Sequence, residues 1–256
     1  MTLEIDLSGK GVLVTGGTRG IGRSIARRFA EAGANVAVVA RSDPGDLPGD
    51  WVLRTVDVRD PDAVTDAIDQ CAAALGRLDV LVNNAGGAPP ADTATVSPRY
   101  SERVVALNLL APIWCSQAAR PHLLAEHVQD DGGGNIVNIC SVAAIRPAPT
   151  VAAYGAAKAG LLSYTTTIGQ EWAPAIRTNA VTVGLVYTDD AGGHYGDDDT
   201  ARRIADTIPM GRFATTDDVA DACVYLASPL AAYVTGANLA VHGGGDRPPF
   251  LDAATR

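Results

Sequence analysis

Tyr154 and Lys158 stand four residues apart in Ala153-Tyr154-Gly155-Ala156-Ala157-Lys158, which opens an apolar stretch after Pro147 and Pro149. In an α-helix such residues share one face, about 6 Å apart along the axis. A free phenol titrates near pH ~10 and is a poor base at neutral pH. An ammonium about 4 Å away contributes about 4 kcal/mol at an effective dielectric of about 20. At about 1.4 kcal/mol per pKa unit, the pair predicts a phenol moved roughly three units toward neutrality, able to give or take a proton. Taken alone, the pair reads first as two side chains on a helix surface, so the rest of the chain must decide.

A second candidate lies near the start. Thr15-Gly16-Gly17-Thr18-Arg19-Gly20-Ile21-Gly22 follows the apolar run Val12-Leu13-Val14 and leads into Ile21, Ile25 and Phe29 at helical spacing. A strand running through a glycine-rich turn into a helix offers bare N–H groups and a positive dipole end to an anion. Glycines there let a pyrophosphate approach the backbone. A third candidate is Asn108, four residues before Pro112. Proline has no N–H, so the Asn108 carbonyl loses its usual helical partner and needs another donor, most simply water.

The elements that must position these residues alternate. Strands are predicted at 12–14, 36–39, 52–56, 78–82, 135–140, 177–183 and 236–241. Helices are predicted from Ile21 to Gly33, from Asp60-Pro61 through Leu75, from Ser97-Pro98, from the Tyr154 segment to about Trp172, and over 217–227. The Pro- and Gly-rich 43–50 connection excludes a full helix, and the stretch after Gly184 reads as open and polar. This order implies right-handed crossovers and an α/β fold: one doubly wound, Rossmann-type domain over 1–256, with a parallel, about seven-stranded sheet flanked by helices on both faces. The glycine turn, Asp57, Asn83-Asn84-Ala85-Gly86 and Ser141 then fall at the carboxyl ends of strands, where open α/β sheets bind ligands.

Composition sets the limits. At 256 residues and 47% hydrophobic content, with no Pro/Ser-rich linker, the chain can bury one large core. A net charge of −9 argues against nucleic acid or an anionic membrane as partner. Cys71, Cys115, Cys140 and Cys223 show no C-x-x-C pair and no zinc spacing, so no metal is expected and a reduced cytoplasmic compartment is. The acidic Met1–Asp6 start lacks the layout of a signal peptide, and no apolar run approaches the roughly 20 residues that span a bilayer.

Together these motifs resemble the short-chain dehydrogenase/reductase family over nearly the whole chain. The family's T-G-x-x-x-G-x-G appears as Thr15 to Gly22, its N-N-A-G as Asn83 to Gly86, its catalytic Asn as Asn108 and its catalytic Ser as Ser141. Its Y-x-x-x-K appears as Tyr154 and Lys158, thirteen residues after the serine. The resemblance implies that Tyr154 is the general acid/base, Ser141 hydrogen-bonds the substrate oxygen, and Lys158 depresses the Tyr154 pKa and holds the nicotinamide ribose. It further implies that the Asn108 carbonyl holds a relay water. The cofactor would be held by Gly16, Thr18, Arg19, Gly20, Ile21, Gly22, Asp57, Val58, Asn83, Ala85, Gly86, Tyr154, Lys158, Gly184, Val186 and Thr188.

Three departures stand out. Val183-Gly184 replaces the family's usual Pro-Gly, the helix after the second strand looks largely deleted, and Ala40 stands where NAD-preferring members carry an acid. Arg41 can set a guanidinium against a 2′-phosphate, with Arg19 opposite, so NADP(H) is the expected cofactor and NAD(H) the alternative. The expected reaction interconverts a secondary alcohol and a ketone in a homo-oligomer, tetramer or dimer by resemblance. The Val241–Gly245 ending is similar to members acting on bulky cyclic or CoA-linked ketones. A 3-oxoacyl reductase, an NAD-linked dehydrogenase and a non-catalytic cofactor sensor remain as alternatives. Residues 188–210 match the family's variable substrate lid, with Gly192-Gly193 as hinges and His194 and Tyr195 as candidate substrate contacts or solvated loop residues.

Overall fold

The computed structural model describes residues 5–188 and 195–245. Seven strands form one sheet: β1 Gly11–Thr15, β2 Asn35–Ala40, β3 Val52–Thr55, β4 Val80–Asn83, β5 Gly134–Ser141, β6 Ile176–Val183 and β7 Asn238–Val241. They pair in parallel in the order β3-β2-β1-β4-β5-β6-β7. The order reverses direction between β1 and β4, and a doubly wound sheet opens its ligand crevice at that reversal.

The central strands are buried on both faces, as their unbroken apolar runs require. Val12, Val14, Val38, Val137 and Ile139 face one layer, which includes α1 (Gly20–Glu31) and α8 (Thr216–Ala227). Leu13, Ala37, Leu81 and Ile136 face the other, with α2 (Pro61–Leu75) and α4 (Ala111–Leu123). Helix α6 (Ala152–Glu171) covers Cys140 and Ala180 through Leu161.

Local signals set the helix ends. Asp60 caps α2 by accepting the Ala63 N–H at 3.1 Å, Pro61 takes the first helical position, and Gly76 ends the helix at φ 76°. Thr215 and Asp218 form a reciprocal capping box on α8. Helix α3 (Pro98–Val105) passes into a π turn at Ala106–Leu110 before α4 begins. No helix lies between β2 and β3; Arg23 instead holds that loop on the Asp46 carboxylate at 2.9 and 3.1 Å.

Two helices depart from the sequence expectation. Residues 126–129 form a short α5, and α7 (Asp198–Ala205) lies within the stretch read as open and polar. Asp197 caps α7 through the Thr200 N–H at 2.9 Å, and Asp198 and Asp199 fill its first turn, so the aspartate run is a helix start. Among the described residues no helix is long and apolar enough to cross a membrane.

Candidate active site

The carboxyl ends of β1, β2, β4, β5 and β6 surround a cleft of about 750 Å³. Gly16, Thr18, Arg19, Gly20, Ile21 and Gly22 form its floor. Unlike α2, α3, α7 and α8, helix α1 carries no side-chain cap, and it has no acid in its first turn. Its first N–H groups therefore face the cleft with no side-chain acceptor. A Cβ on Gly20 would meet only Thr188, at 3.9 Å, so the turn is bare on its open side. A Cβ on Gly22 would strike the Gly16 carbonyl at 2.2 Å, which fixes glycine there for close packing. These features suit a dinucleotide pyrophosphate.

At the adenosine end, Ala40, Arg41, Ser42, Asp57, Val58 and Arg59 line the wall. Arg59 was not singled out in the sequence; its Nε donates to Asp57 Oδ1 at 3.0 Å, and its backbone N–H does the same. That guanidinium holds the Asp57 carboxyl below the usual carboxylate range, and Arg41 adds a smaller electrostatic pull. Among the described residues Arg41 is exposed and bonded to no other side chain.

At the other end, Cys140, Ser141, Tyr154 and Lys158 share the wall. β5 ends in Ser141, whose Oγ accepts the Ala143 N–H at 3.2 Å, and Tyr154 lies in the first turn of α6. Lys158, one turn on, is buried and donates from Nζ to the Ile139 carbonyl at 2.8 Å. Its Nζ lies 5.8 Å from the centroid of the Tyr154 ring.

The electrostatics correct one expectation. Burial pushes the Tyr154 phenol up, opposed by its hydrogen bond with Ser141. The predicted drop of roughly three units does not appear: burial is the largest influence on the phenol, and Lys158 Nζ, turned to the Ile139 carbonyl, makes no hydrogen bond to it. Burial also lowers the Lys158 ammonium from 10.5 to about 8. At about 8 the lysine still carries its proton at neutral pH, held against the Ile139 carbonyl. Cys140 is buried beside it, its thiol raised to about 11, in keeping with an apolar filler. The other three cysteines are also free and buried.

Two expected residues sit behind the wall. Asn83, expected against the cofactor, turns its side chain into the core, where Nδ2 donates to Asn138 Oδ1 at 2.8 Å and Ser116 Oγ at 3.0 Å. Its neighbour Asn84 lines the cleft instead, tying the glycine turn to β4 by donating to the Thr15 carbonyl at 2.9 Å. Asn108, fully buried in the π turn, clamps Gly87: Oδ1 accepts its N–H at 2.8 Å and Nδ2 donates to its carbonyl at 2.9 Å. Ala85 and Gly86 line the cleft in front of it. A Cβ on Gly86 would lie 2.8 Å from Asn108 Oδ1 and 3.2 Å from Lys158 Nζ, so glycine lets the three groups converge. The Ala111 N–H reaches back to the Ala106 carbonyl, five residues away. A helix meeting Pro112 thus widens around Asn108.

Gly184, Val186, Thr188 and Tyr195 close the far side. Tyr195 donates its hydroxyl to the Val186 carbonyl at 3.2 Å, and its ring lies 4.6 Å from Phe213, which in turn lies 6.1 Å from Tyr187. Tyr195 thus belongs to the wall of the cleft. Gly192, Gly193 and His194 lie outside the described residues.

Residues 16–245 match a family model described as enoyl-(acyl carrier protein) reductase. A short-chain type dehydrogenase/reductase of Sinorhizobium fredii is 37% identical over 253 residues, covering 93% of this chain and 98% of that one. The D-threitol dehydrogenase of Mycolicibacterium smegmatis is 36% identical, covering 94% of each. The ligand-free structure of Thermoplasma acidophilum aldohexose dehydrogenase superposes with a TM-score of 0.85 at 31% identity, over 93% of this chain and 94% of that one.

Proposed function

This chain belongs to the short-chain dehydrogenase/reductase family and is an NAD(P)-dependent oxidoreductase; from that premise we propose that it interconverts a secondary alcohol and a ketone with NADP(H). The observation that carries the reading is that Ser141, Tyr154 and Lys158 share one cleft with the glycine turn and Arg41. In this reading residues 1–256 act as one nucleotide-binding domain with 188–210 as its substrate-side lid. The chain works as a cytoplasmic homo-oligomer, dimer or tetramer, in keeping with its four unpaired cysteines and its family.

When bound, the nicotinamide cofactor gives or takes the hydride; the chain's own residues manage the proton and the charge. Tyr154, its phenol raised and hydrogen-bonded to Ser141, holds a proton at neutral pH and delivers it from its hydroxyl to a ketone oxygen. Ser141 orients that oxygen. Lys158, near its own titration point, holds the nicotinamide ribose and returns a proton toward Tyr154. Asn108 positions the Gly86-Gly87 turn from behind, and its carbonyl holds the relay water. Gly16 to Gly22 hold the pyrophosphate, Asp57 and Val58 the adenine, and Ala85, Gly86, Gly184, Val186 and Thr188 the remaining cofactor surface.

The substrate assigned to this site is a ketone bearing a bulky ring. Apolar surface beside the cleft supports it: Tyr195 on the cleft wall packs against Phe213, and Ile145, four residues beyond Ser141, and Tyr187, between the cleft-lining Val186 and Thr188, are exposed. Such a surface suits an apolar ring better than a small polyol.

Arg41 carries the cofactor preference. An acid in place of Ala40 would repel a 2′-phosphate, whereas Arg41 attracts it, with Arg19 and Arg59 on the same cleft. At about 1.5–3 kcal/mol for a hydrogen bond to a charged group, NADPH should exceed NADH at least about tenfold in kcat/KM, and Arg41→Ala should erase most of that margin. Nicotinamide absorbance against a panel of cyclic ketones measures both. Equal or better efficiency with NADH in the unmutated enzyme overturns the cofactor assignment, and no turnover of any ketone or alcohol overturns the reaction.

A further inference from the structure

A second cavity, of about 340 Å³, adjoins the first beside α3. Gly87, Leu107 and Arg59 line both. Pro89, Val104 and Leu107 give it a largely apolar wall. Tyr100 commits its hydroxyl to the Pro89 carbonyl, which leaves its ring to that wall. Arg99 and Arg103 stand at the edge, together with Arg59.

Like Arg41 on the main cleft, the two α3 arginines have no carboxylate partner among the described residues. They lie four residues apart on one helix face, where like charges repel. Among the described residues neither guanidinium makes an ion pair, a hydrogen bond or a ring contact. The chain carries 29 acids against 20 bases, and Arg23, Arg27, Arg28, Arg59, Arg77 and Arg212 each hold a carboxylate. An acidic protein that leaves two adjacent guanidiniums without an acid, over an apolar hollow, holds a charge arrangement complementary to an anion. Guanidinium forks match carboxylates, sulfonates and phosphates. The cavity lies at the small end of the range for ligand pockets, which limits the apolar part to one or two rings or a short chain.

We propose that this cavity is a binding site, separate from the cofactor cleft, for a small anionic amphiphile. Its apolar body rests on Val104, Leu107 and Pro89, and its anionic group on Arg99 and Arg103. An occupant would also touch Gly87, the residue clamped by Asn108, so the site borders the reaction centre without containing it.

The probe for the test is 1-anilinonaphthalene-8-sulfonate, titrated by fluorescence against the full chain with and without saturating NADPH. The unmutated protein should bind one equivalent that NADPH leaves in place. Arg99→Ala/Arg103→Ala should weaken that binding at least about tenfold, since both charge-assisted contacts are lost, while its NADPH affinity stays unchanged and reports an intact fold. N-phenyl-1-naphthylamine, the same body without the sulfonate, should bind at least about tenfold more weakly. Displacement of the probe by NADPH, a double variant within about twofold of the unmutated affinity, or equal binding of the neutral analogue would each overturn the proposal. The arginine comparison without NADPH reads the second site whatever the main cleft accepts.

Discussion

The chemistry of the cleft rests on how deep single side chains lie, and Lys158 shows this best. Spacing alone places it on the face of Tyr154, but spacing carries no information on burial, so the sequence led to the wrong direction for the phenol. Burial favours the neutral amine, and the folded chain binds fewer protons at this site than the unfolded chain between about pH 8 and 10.5. Stability from this site is therefore lowest below pH 8 and recovers as pH rises toward 10.5. At about 1.4 kcal/mol per pKa unit, carrying the ammonium at neutral pH costs about 3 kcal/mol, part of which the Ile139 hydrogen bond offsets. Lys158→Met should raise stability at pH 7 by about 1–3 kcal/mol and less at pH 10, while turnover falls at least about 10²-fold. Thermal unfolding at the two pH values checks it; a lower midpoint at pH 7 would contradict the cost assigned to the buried charge. In the unmutated enzyme, kcat/KM for the cofactor should decline above an inflection near pH 8, since that ratio reports the free enzyme. Thr150 gives a second case of what types and spacing conceal: it adopts φ 69°, and its carbonyl receives the Ala91 N–H at 2.8 Å, a strained link between two loops that no residue type announces.

Elements were legible where they carry their own punctuation. Asp60-Pro61, Ser97-Pro98 and Gly33 mark helix ends through physics that needs no tertiary context, and the buried strands show as apolar runs. Helix α7 escaped because its exposed, charged surface buries no residue and so gives no apolar stripe. The π turn escaped because proline tells where a helix is disturbed but not how the chain accommodates it. Pro112 supports a specific expectation. Pro112→Ala restores an N–H that can reach the Asn108 carbonyl, favouring an α-helical turn over the wider one. Asn108 would then shift against Gly87, so kcat should fall at least about tenfold with cofactor affinity nearly unchanged. Pre-steady-state turnover together with cofactor fluorescence titration separates the two, and an unchanged kcat would show that the π turn is incidental to the reaction.

At the scale of the whole molecule, the alternation of strands and helices determined where a site had to be. A parallel sheet collects the carboxyl ends of its strands along one edge, so residues from Gly16 to Thr188 reach one cleft although they are spread over most of the chain. The reaction type is written in those shared residues, while substrate choice falls to side chains such as Tyr195 on the cleft wall, which carry no motif. Arg59 and the Arg99/Arg103 pair were equally silent, since a guanidinium's partner, or lack of one, exists only after folding. The central claim is that the phenol of Tyr154 moves the proton in an alcohol–ketone interconversion. Tyr154→Phe keeps the ring and removes only the hydroxyl, so it is the most direct measurement, made as single-turnover hydride transfer after cofactor binding has been verified by fluorescence. The account predicts cofactor affinity within about twofold of the unmutated enzyme and a transfer rate lowered at least about 10²-fold, the low end for general acid–base catalysis. A Tyr154→Phe enzyme that binds cofactor and keeps more than about half of the unmutated rate would contradict it.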